Sequence, residues 1–230
     1  MLSSERSAIR FYFDYVSPNA YLAWTQLPSI AGRFERIVEP VPILFAGLLE
    51  AHGQLGPAEV PPKIRWMTMN NLRKATLLGV ELNPPAFHPF NPILALRVSS
   101  LPLETATRQA MIDALFRAVW VRGLHVSEPG VVAEIADEVG LAGAEIVAEA
   151  QHPASKARVR EQTDAAIARG VFGVPTIEVG DELFWGFDDL QHLERFLAGH
   201  DPIDSASWQR WADGSRASAV RTRVRRPRDD

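Results

Sequence analysis

Strand-type patterns lie at the two ends of the first 200 residues of this chain, and helix-type patterns fill the interval between them. Near the amino end, residues 9–13 and 37–44 are predicted strands, the second made irregular by two prolines. Between them Ser17 is a preferred helix N-cap and Pro18 suits the first helical position, while Gly32 is expected to end the helix. This order predicts a β-α-β unit of the length that a parallel crossover requires.

Residues 60–170 show helical periodicity instead. The predicted helices occupy residues 63–79, 105–123, 127–140, 142–150 and 155–170. The predicted buried face of the first one consists of Ile64, Met67, Leu72 and Ala75. Trp24, Trp66 and Trp120 also fall on helix faces that the pattern assigns to the core, where packing is a commoner role for tryptophan than ligand contact.

The strand pattern returns in the last third of the chain. Residues 174–179 and 182–185 are joined by a two-residue Gly-Asp link, which is typical of a β-hairpin. Asp188 is expected to cap a closing helix, because a carboxylate can accept hydrogen bonds from the first N–H groups of a helix. The apolar pattern is lost after Gly199, and the arginines beyond Gly214 predict a tail without fixed structure.

Together these elements outline an α/β fold with a thioredoxin-like mixed sheet and a large all-helical insertion. We expect residues 1–55 and 171–200 to form one discontinuous thioredoxin-like domain. Residues 56–170 are then the helical insertion domain, and residues 201–230 are an arginine-rich tail that we expect to be disordered.

The chain contains no cysteine, and this excludes several kinds of chemistry. Disulfide scaffolds, zinc-thiolate sites, iron–sulfur clusters and cysteine nucleophiles all require thiols. Dithiol–disulfide exchange is excluded for the same reason, because that reaction takes place at cysteine sulfur. The histidines show no ligand spacing such as H-x-x-x-H, so no metal site is predicted.

Charge and hydropathy argue against two classes of partner. A formal net charge of -4 at pH 7 does not favour electrostatic binding to nucleic acid. No apolar run approaches the roughly 20 residues of a membrane helix, and residues 1–12 lack the apolar core of a signal peptide. We therefore expect a soluble cytoplasmic protein that acts on a small molecule, with neither nucleic acid nor membrane as a partner.

Two loops are expected to meet above a sheet of this kind. One carries Ser17-Pro18 after the first strand, and the other carries Val174-Pro175 before the third. A proline in the second bend is typically cis, and the backbone before it can pair with an extended peptide. The positive end of the first helix would face a negative sulfur or carboxylate placed there. Taken singly, these features are also ordinary helix caps and strand starts.

Five segments together resemble the 2-hydroxychromene-2-carboxylate isomerase family. They read FYFDYVSPNAYLA, AEVPPKIRWM, FNPILALR, GVFGVPT and ELFWGFDDL, and the resemblance extends over residues 9–197. Members of this family are glutathione-dependent relatives of kappa-class glutathione transferases and of the disulfide oxidoreductase DsbA. Where DsbA-type proteins keep a CxxC pair, this chain has Ser-Pro.

The resemblance implies a glutathione site with a role for each matching residue. Ser17 would hydrogen-bond the glutathione sulfur as a donor rather than act as a nucleophile, and this makes it the one predicted catalytic residue. Val174 would pair through its backbone with the tripeptide, ahead of Pro175. Asp188 would hold the γ-glutamyl amino group, and Lys63 would lie near a glutathione carboxylate or an acidic substrate. Lys63 is equally well explained as a surface lysine.

Two further predicted glutathione contacts depart from the family pattern. Gln54 stands where the family commonly has asparagine, so the same amide is carried on a longer side chain. Asp189 stands where the family usually has arginine. The exchange makes the local field more negative, which disfavours an anionic end of glutathione nearby.

The resemblance implies an isomerase, with two alternatives left open. The isomerase would convert the cis form of an aromatic-derived keto-acid into the trans form through transient addition of the glutathione thiolate, and we expect it to be a homodimer. A kappa-like transferase would use the same site to conjugate electrophiles. A non-catalytic thioredoxin-like module would use the Val-Pro bend to bind a peptide, with Ser17 as a helix cap alone.

Overall fold

The computed structural model describes residues 8–214. Within these residues four strands form one sheet in the order β2-β1-β3-β4. Their bounds are Ala8–Phe13 for β1, Ile37–Pro42 for β2, Thr176–Val179 for β3 and Glu182–Trp185 for β4. β1 and β2 are parallel, whereas β1 pairs antiparallel with β3 and β3 antiparallel with β4. The sheet is therefore mixed, and the thioredoxin-like frame predicted from the sequence is confirmed.

Helices connect and cover the strands. They are α1 (Pro18–Arg33), α2 (Phe45–His52), α3 (Pro61–Leu78), α4 (Ile93–Ser99), α5 (Thr105–Trp120), α6 (Pro129–Glu138), α7 (Gly143–Gln151), α8 (Pro153–Ala168), α9 (Leu190–Leu197) and α10 (Ser205–Gly214). The segment between β2 and β3 is helical, as the periodicity of residues 60–170 predicts. None of the described helices combines the length and the apolar character needed to cross a bilayer.

β1 is buried on both faces of the sheet. Phe11 and Phe13 are fully buried and pack with Trp24 of α1 and Phe116 of α5 in the larger core. Tyr12 points to the opposite face, where it belongs to a smaller core. The two cores follow from the alternation of side chains along a strand, which sends neighbouring residues to opposite faces.

The structure corrects the buried face predicted for α3. Ile64, Leu72 and Trp66 are exposed, whereas the buried residues of this helix are Asn71, Lys74 and Ala75. The apolar residues do not mark the buried face of α3, because this helix turns two polar side chains toward the rest of the protein.

The predicted homodimer stays a prediction, since this structure is that of a single chain.

Two helices before α5 were not predicted, and β2 is shorter than expected. The apolar residues 43–49 resemble a continuation of β2, but the strand ends at Pro42 and α2 begins at Phe45. The residue before α2 is Leu44, which cannot cap a helix through its side chain. Instead the carboxylate of Asp14 accepts a hydrogen bond from the Phe45 N–H at 2.9 Å. The start of α2 thus depends on a residue distant in sequence. The short helix α4, within the FNPILALR segment, was also not predicted.

The carboxyl-terminal segment is only partly within the described residues. Ser205–Gly214 forms a helix, although the sequence analysis predicted no structure there. A local signal was present, because the Asp204 carboxylate accepts a hydrogen bond from the Ser207 N–H in the manner of an N-cap. The arginine-rich stretch beyond residue 214 lies outside the described residues. The predicted domain boundaries stay predictions.

A close approach between α6 and α7 generates a test of the packing in the insertion. A methyl group added at Gly143 would overlap the backbone carbonyl of Ala133. We expect Gly143→Ala to lower the free energy of unfolding by about 1–3 kcal/mol, as other overpacking substitutions do. Gly130 of α6 has nothing within 4 Å of its added methyl group, so Gly130→Ala is the matched control. Urea unfolding should show the control to be unchanged or up to about 1 kcal/mol more stable.

Candidate functional site

Ser17 lies at the N-cap of α1 in extended backbone conformation, as the sequence predicts. Its hydroxyl oxygen accepts a hydrogen bond from the Ala20 N–H at 3.2 Å. Pro18 has no N–H, and the N–H of Asn19 has no acceptor among residues 8–214. The positive end of α1 therefore retains a free backbone donor beside the Ser17 hydroxyl.

The pairing of β1 with β3 brings the second loop to Ser17. Tyr12 lies opposite Thr176, so the segments that follow Tyr12 and precede Thr176 leave the sheet together. The Ser17 hydroxyl donates to the Val174 carbonyl at 3.4 Å, although 157 positions separate the two residues. At this length the bond is weak, and the hydroxyl can donate elsewhere. The Val174–Pro175 peptide bond is cis, as expected.

A third segment joins the two loops through Pro175. The Gly186 N–H donates to the Pro175 carbonyl at 2.8 Å, which holds the turn after β4 against the bend. Two residues later the carboxylate of Asp188 pairs with the Lys74 ammonium of α3 at 2.8 Å. The same ammonium donates to the side-chain carbonyl of Asn19 at 3.0 Å. The contacts thus close into a ring around the N-terminus of α1. We call it the α1 ring.

α3 buries two polar side chains, and one of them, Lys74, belongs to the ring. Lys74 is 9% exposed, and its ammonium lies 5.1 Å from the centre of the Phe187 ring. Asn71 precedes it by three residues, which places both on one face of the helix. The side-chain oxygen of Asn71 is buried and has no donor among the described residues. Because buried polar atoms normally have a partner, this one marks an incompletely satisfied part of the structure.

The insertion holds the turn that carries Ser17. The indole N–H of Trp120 donates to the Tyr15 carbonyl at 2.9 Å, and the Tyr15 hydroxyl is hydrogen-bonded to Ser99. His88 contacts the residue before Ser17, because its Nε2 is 2.8 Å from the Val16 carbonyl. A carbonyl only accepts, so Nε2 carries the proton and Nδ1 is available to another group. The helical insertion therefore helps to fix the position of the Ser17 hydroxyl.

An aromatic pair lines the outer side of the Val174 bend. The rings of Phe172 and Trp185 lie 5.1 Å apart, and both side chains are exposed. The indole of Trp185 packs directly on Gly173, where an added methyl group would overlap it. This close approach explains why glycine precedes Val174. Trp185 is thus exposed next to the site, whereas the tryptophans of α1 and α5 are buried as predicted.

Asp14 is a buried carboxyl near Ser17 whose pKa is strongly raised. It is 1% exposed, and burial raises the pKa of its carboxyl from 3.8 to about 7. Hydrogen bonds from the N–H groups of Phe45 and Val16 act in the opposite direction but are outweighed by the desolvation of the charged form. A group that titrates near neutrality thus lies beneath the turn.

The structure brings together most of the predicted glutathione contacts. Ser17, Val174, Pro175 and Asp188 all belong to the α1 ring. The carboxylate of Asp189 accepts from the Trp185 N–H at 3.0 Å and so closes the turn between β4 and α9. Asp188 does not cap α9, because Asp189 holds the cap position and Asp188 faces Lys74 instead.

The two other predicted contacts lie outside the ring. Gln54 follows α2 and Lys63 is on the first turn of α3, and both are exposed. Neither side chain forms a hydrogen bond or an ion pair with another residue between positions 8 and 214. Their predicted roles toward glutathione stay predictions. In the part of the chain that is described, no cluster of histidine, aspartate and glutamate could hold a metal ion.

Comparison with known proteins decides the family. The profile of the DSBA-like thioredoxin domain matches residues 8–198. A 2-hydroxychromene-2-carboxylate isomerase of Sphingobium xenophagum is 32% identical over 191 residues, which are 82% of this chain and 97% of that protein. The chain belongs to the 2-hydroxychromene-2-carboxylate isomerase family. The resemblance seen in the sequence is thereby confirmed.

A solved structure and a second kind of relative are also similar to this family member. A solved structure of a 2-hydroxychromene-2-carboxylate isomerase matches it with a TM-score of 0.78 at 29% identity, covering 91% of this chain and 100% of that one. Glutathione S-transferase kappa 2 of Caenorhabditis elegans is 23% identical over 208 residues, which are 84% of this chain and 92% of that protein. The isomerases and the kappa transferases are thus both similar to nearly the whole described chain.

Sequence reasoning missed three residues at the site of this family member. Lys74 and Asn19 were not singled out, although Asn71, Lys74 and Ala75 have the spacing of one helix face. A polar residue in such a stripe is the signal that could have found Lys74. His88 was considered only as a metal ligand, and only the folded chain brings its ring to Val16.

The raised pKa of Asp14 predicts a pH dependence of stability. The folded state binds the carboxyl proton more tightly than the unfolded chain, so the contribution of Asp14 is fully present below about pH 4 and is lost as the pH rises to about 7. One pKa unit corresponds to about 1.4 kcal/mol, so the loss is on the order of a few kcal/mol. We expect Asp14→Asn to flatten the unfolding free energy between these pH values, measured by urea unfolding at a series of pH values.

The slope with pH is the quantity to compare in this experiment. The amide introduced by Asp14→Asn can present donors toward the Phe45 or Val16 N–H, so the variant should be less stable than the wild type at low pH. A pH profile parallel to that of the wild type would contradict the raised pKa.

Proposed function

We propose that this protein is a glutathione-dependent isomerase of the 2-hydroxychromene-2-carboxylate isomerase type. Its substrate is an aromatic-derived keto-acid, whose cis form it converts into the trans form. The proposal is supported by relatives at 31–32% identity that are 2-hydroxychromene-2-carboxylate isomerases. The observation that carries it is the Ser17 hydroxyl at the N-terminus of α1, facing Val174, in a chain without cysteine.

The α1 ring offers partners for three parts of glutathione. The Ser17 hydroxyl and the free Asn19 N–H suit a thiolate, because both are donors at the positive end of a helix. The Val174 N–H has no acceptor among the described residues and suits a peptide carbonyl. Asp188 is 71% exposed and suits the γ-glutamyl ammonium. The similarity to a kappa-class glutathione transferase agrees with a thiol of this kind.

The residues of this chain would activate and orient the thiol rather than attack the substrate. When bound, glutathione supplies a thiolate that adds reversibly to a conjugated double bond, so that the bond between its former ends can rotate. Ser17 donates to the sulfur and α1 contributes its positive end, and both lower the thiol pKa. The Ser17 hydroxyl contacts the Ala20 N–H and the Val174 carbonyl, and neither is a base that could activate it as a nucleophile.

We expect the substrate to contact residues of the insertion. His88 holds Nδ1 free beside the turn, and its ring lies 5.7 Å from that of Trp120. Lys63 adds an exposed cation on the first turn of α3. A ring and a cation are what an aromatic keto-acid anion would contact.

A kappa-like transferase is the second candidate, favoured by the similarity to kappa 2 of Caenorhabditis elegans. Both functions use the same thiol site, so binding of glutathione does not separate them. The free thiol remaining after many turnovers does, because an isomerase regenerates glutathione whereas a transferase consumes it. Thiol titration during turnover of an isomerisable hydroxychromene carboxylate makes this measurement.

Replacing Ser17 tests the proposed role of its hydroxyl. We expect Ser17→Ala to lower kcat/KM by roughly 100-fold or more, since one positioned donor typically contributes on the order of 10²–10³ in rate. The dissociation constant of glutathione, measured by isothermal titration calorimetry, should change far less. The free energy of unfolding should fall by about 1 kcal/mol through loss of the helix cap.

Glu104 provides the matched control for the lost cap. Its carboxylate caps α5 by accepting from the N–H groups of Ala106 and Thr107, and it belongs to no part of the α1 ring. Glu104→Ala should lower stability by a similar amount and leave the rate unchanged. If Ser17→Ala behaves in the same way, the hydroxyl is a cap alone and the non-catalytic peptide-binding module gains support.

A further inference from the structure

We propose that Lys74 binds the α-carboxylate of the γ-glutamyl group of glutathione and so completes the subsite whose ammonium contact the family resemblance assigns to Asp188. Asp188 binds the α-ammonium of that group, and Lys74 binds its α-carboxylate. This assignment deepens the proposed function and rests on it. It makes Lys74 a determinant of which thiol the site accepts.

The unequal burial of the two side chains favours a role of this ion pair in ligand binding over a role in folding stability. The Lys74 side chain is 10% exposed, whereas its partner Asp188 is 71% exposed. Burying a lysine costs free energy because its ammonium loses water, and an ion pair with a well-solvated carboxylate returns little of that cost. A hydrophobic side chain at this position of α3 would serve packing better. Stability therefore does not explain why a lysine stands here.

The unused hydrogen-bonding capacity of the pair matches a zwitterion. An ammonium has three N–H donors, and Lys74 directs two of them to Asp188 and Asn19. Its third donor has no acceptor among residues 8–214. Asp188 binds Lys74 through Oδ2, and its Oδ1 has no donor in the described part of the chain. One free donor thus lies beside one free acceptor of opposite charge.

An amino-acid end group presents the complementary arrangement. The α-ammonium and the α-carboxylate of the γ-glutamyl residue are carried on one carbon atom. They can therefore meet Oδ1 of Asp188 and the third N–H of Lys74 at the same time, as charge-assisted hydrogen bonds. The contact with Asn19 places this subsite at the second residue of α1, beside the Ser17 cap that faces the sulfur.

The Phe187 ring supports the same placement, and Asn71 is a second buried polar residue on this face of α3. Phe187 covers the Lys74 ammonium at 5.1 Å, which keeps water from one side of it and strengthens its interaction with an anion. Asn71 lies one turn earlier on α3 with a buried side-chain oxygen that no described residue satisfies. The polar stripe of α3 is thus less completely paired than the rest of the buried structure.

Three tripeptides separate the contribution of each charge. Reduced glutathione carries both groups, 4-aminobutyryl-cysteinylglycine lacks the α-carboxylate, and glutaryl-cysteinylglycine lacks the α-ammonium. Calorimetry on the full chain gives the dissociation constant of each one. We expect Lys74→Met to weaken glutathione by about 10- to 100-fold, the usual effect of losing a hydrogen bond between charged groups. The aminobutyryl peptide should change by less than about threefold, because it has no carboxylate to lose.

Asp188→Asn tests the other half of the subsite, the contact between the Asp188 carboxylate and the α-ammonium. It should weaken glutathione and leave the glutaryl peptide within about threefold of its wild-type affinity. Circular dichroism checks the fold of each variant. Lys74→Gln, which keeps an uncharged donor one atom closer to the backbone, takes the place of Lys74→Met should that variant not fold.

The outcomes distinguish this inference from the proposed function. Equal losses of glutathione and of the aminobutyryl peptide in Lys74→Met would overturn the assignment, because Lys74 would then act through Asp188 or the fold. Unchanged glutathione affinity in that variant would overturn it as well, even if the KM of the keto-acid rose. If the wild-type protein bound none of the three peptides, the proposed glutathione dependence itself would fail.

Discussion

The antiparallel pairing of β1 with β3 is the constraint on which the site depends. Those strands lie at opposite ends of the chain, and the register of Tyr12 with Thr176 decides which residues meet beyond the sheet. Ser17 and Val174 leave the sheet side by side because of that register. A slip of one residue would turn the side chains of β3 to the other face and separate the two loops.

The helical insertion supports the site as well as connecting the two halves of the sheet along the chain. Trp120 and His88 bind the carbonyl groups of Tyr15 and Val16, and Lys74 reaches Asn19 and Asp188. The turn after β1 is therefore held from the insertion, and Asp14 ties it to the start of α2. This explains how one serine hydroxyl can keep a defined position on a loop. Groups that take part in chemistry need such support from their surroundings.

A DsbA-like fold without cysteine raises the question of where its reactivity lies. The fold itself does not answer it, because one fold carries many functions and the function lies in the site. In this chain the positive end of α1 and a hydroxyl stand where DsbA-type proteins carry thiols. Both would stabilise a sulfur anion supplied from outside. The proposed function is the simplest use of that arrangement, since it needs only a thiol and involves no net oxidation or reduction.

Local sequence patterns were enough to predict the frame and half of the site. Alternation in β1, the Ser17-Pro18 start of α1, the Gly-Asp hairpin and the Val174-Pro175 bend each follow from backbone preferences of neighbouring residues. The rest came from contacts through space: Asp14 caps α2, His88 reaches Val16, and Lys74 rather than Ile64 or Leu72 turns inward to pair with Asp188. Each of these contacts joins residues far apart in sequence. Periodicity reports which side of a helix is apolar, but it does not report which distant side chain will lie opposite a polar one.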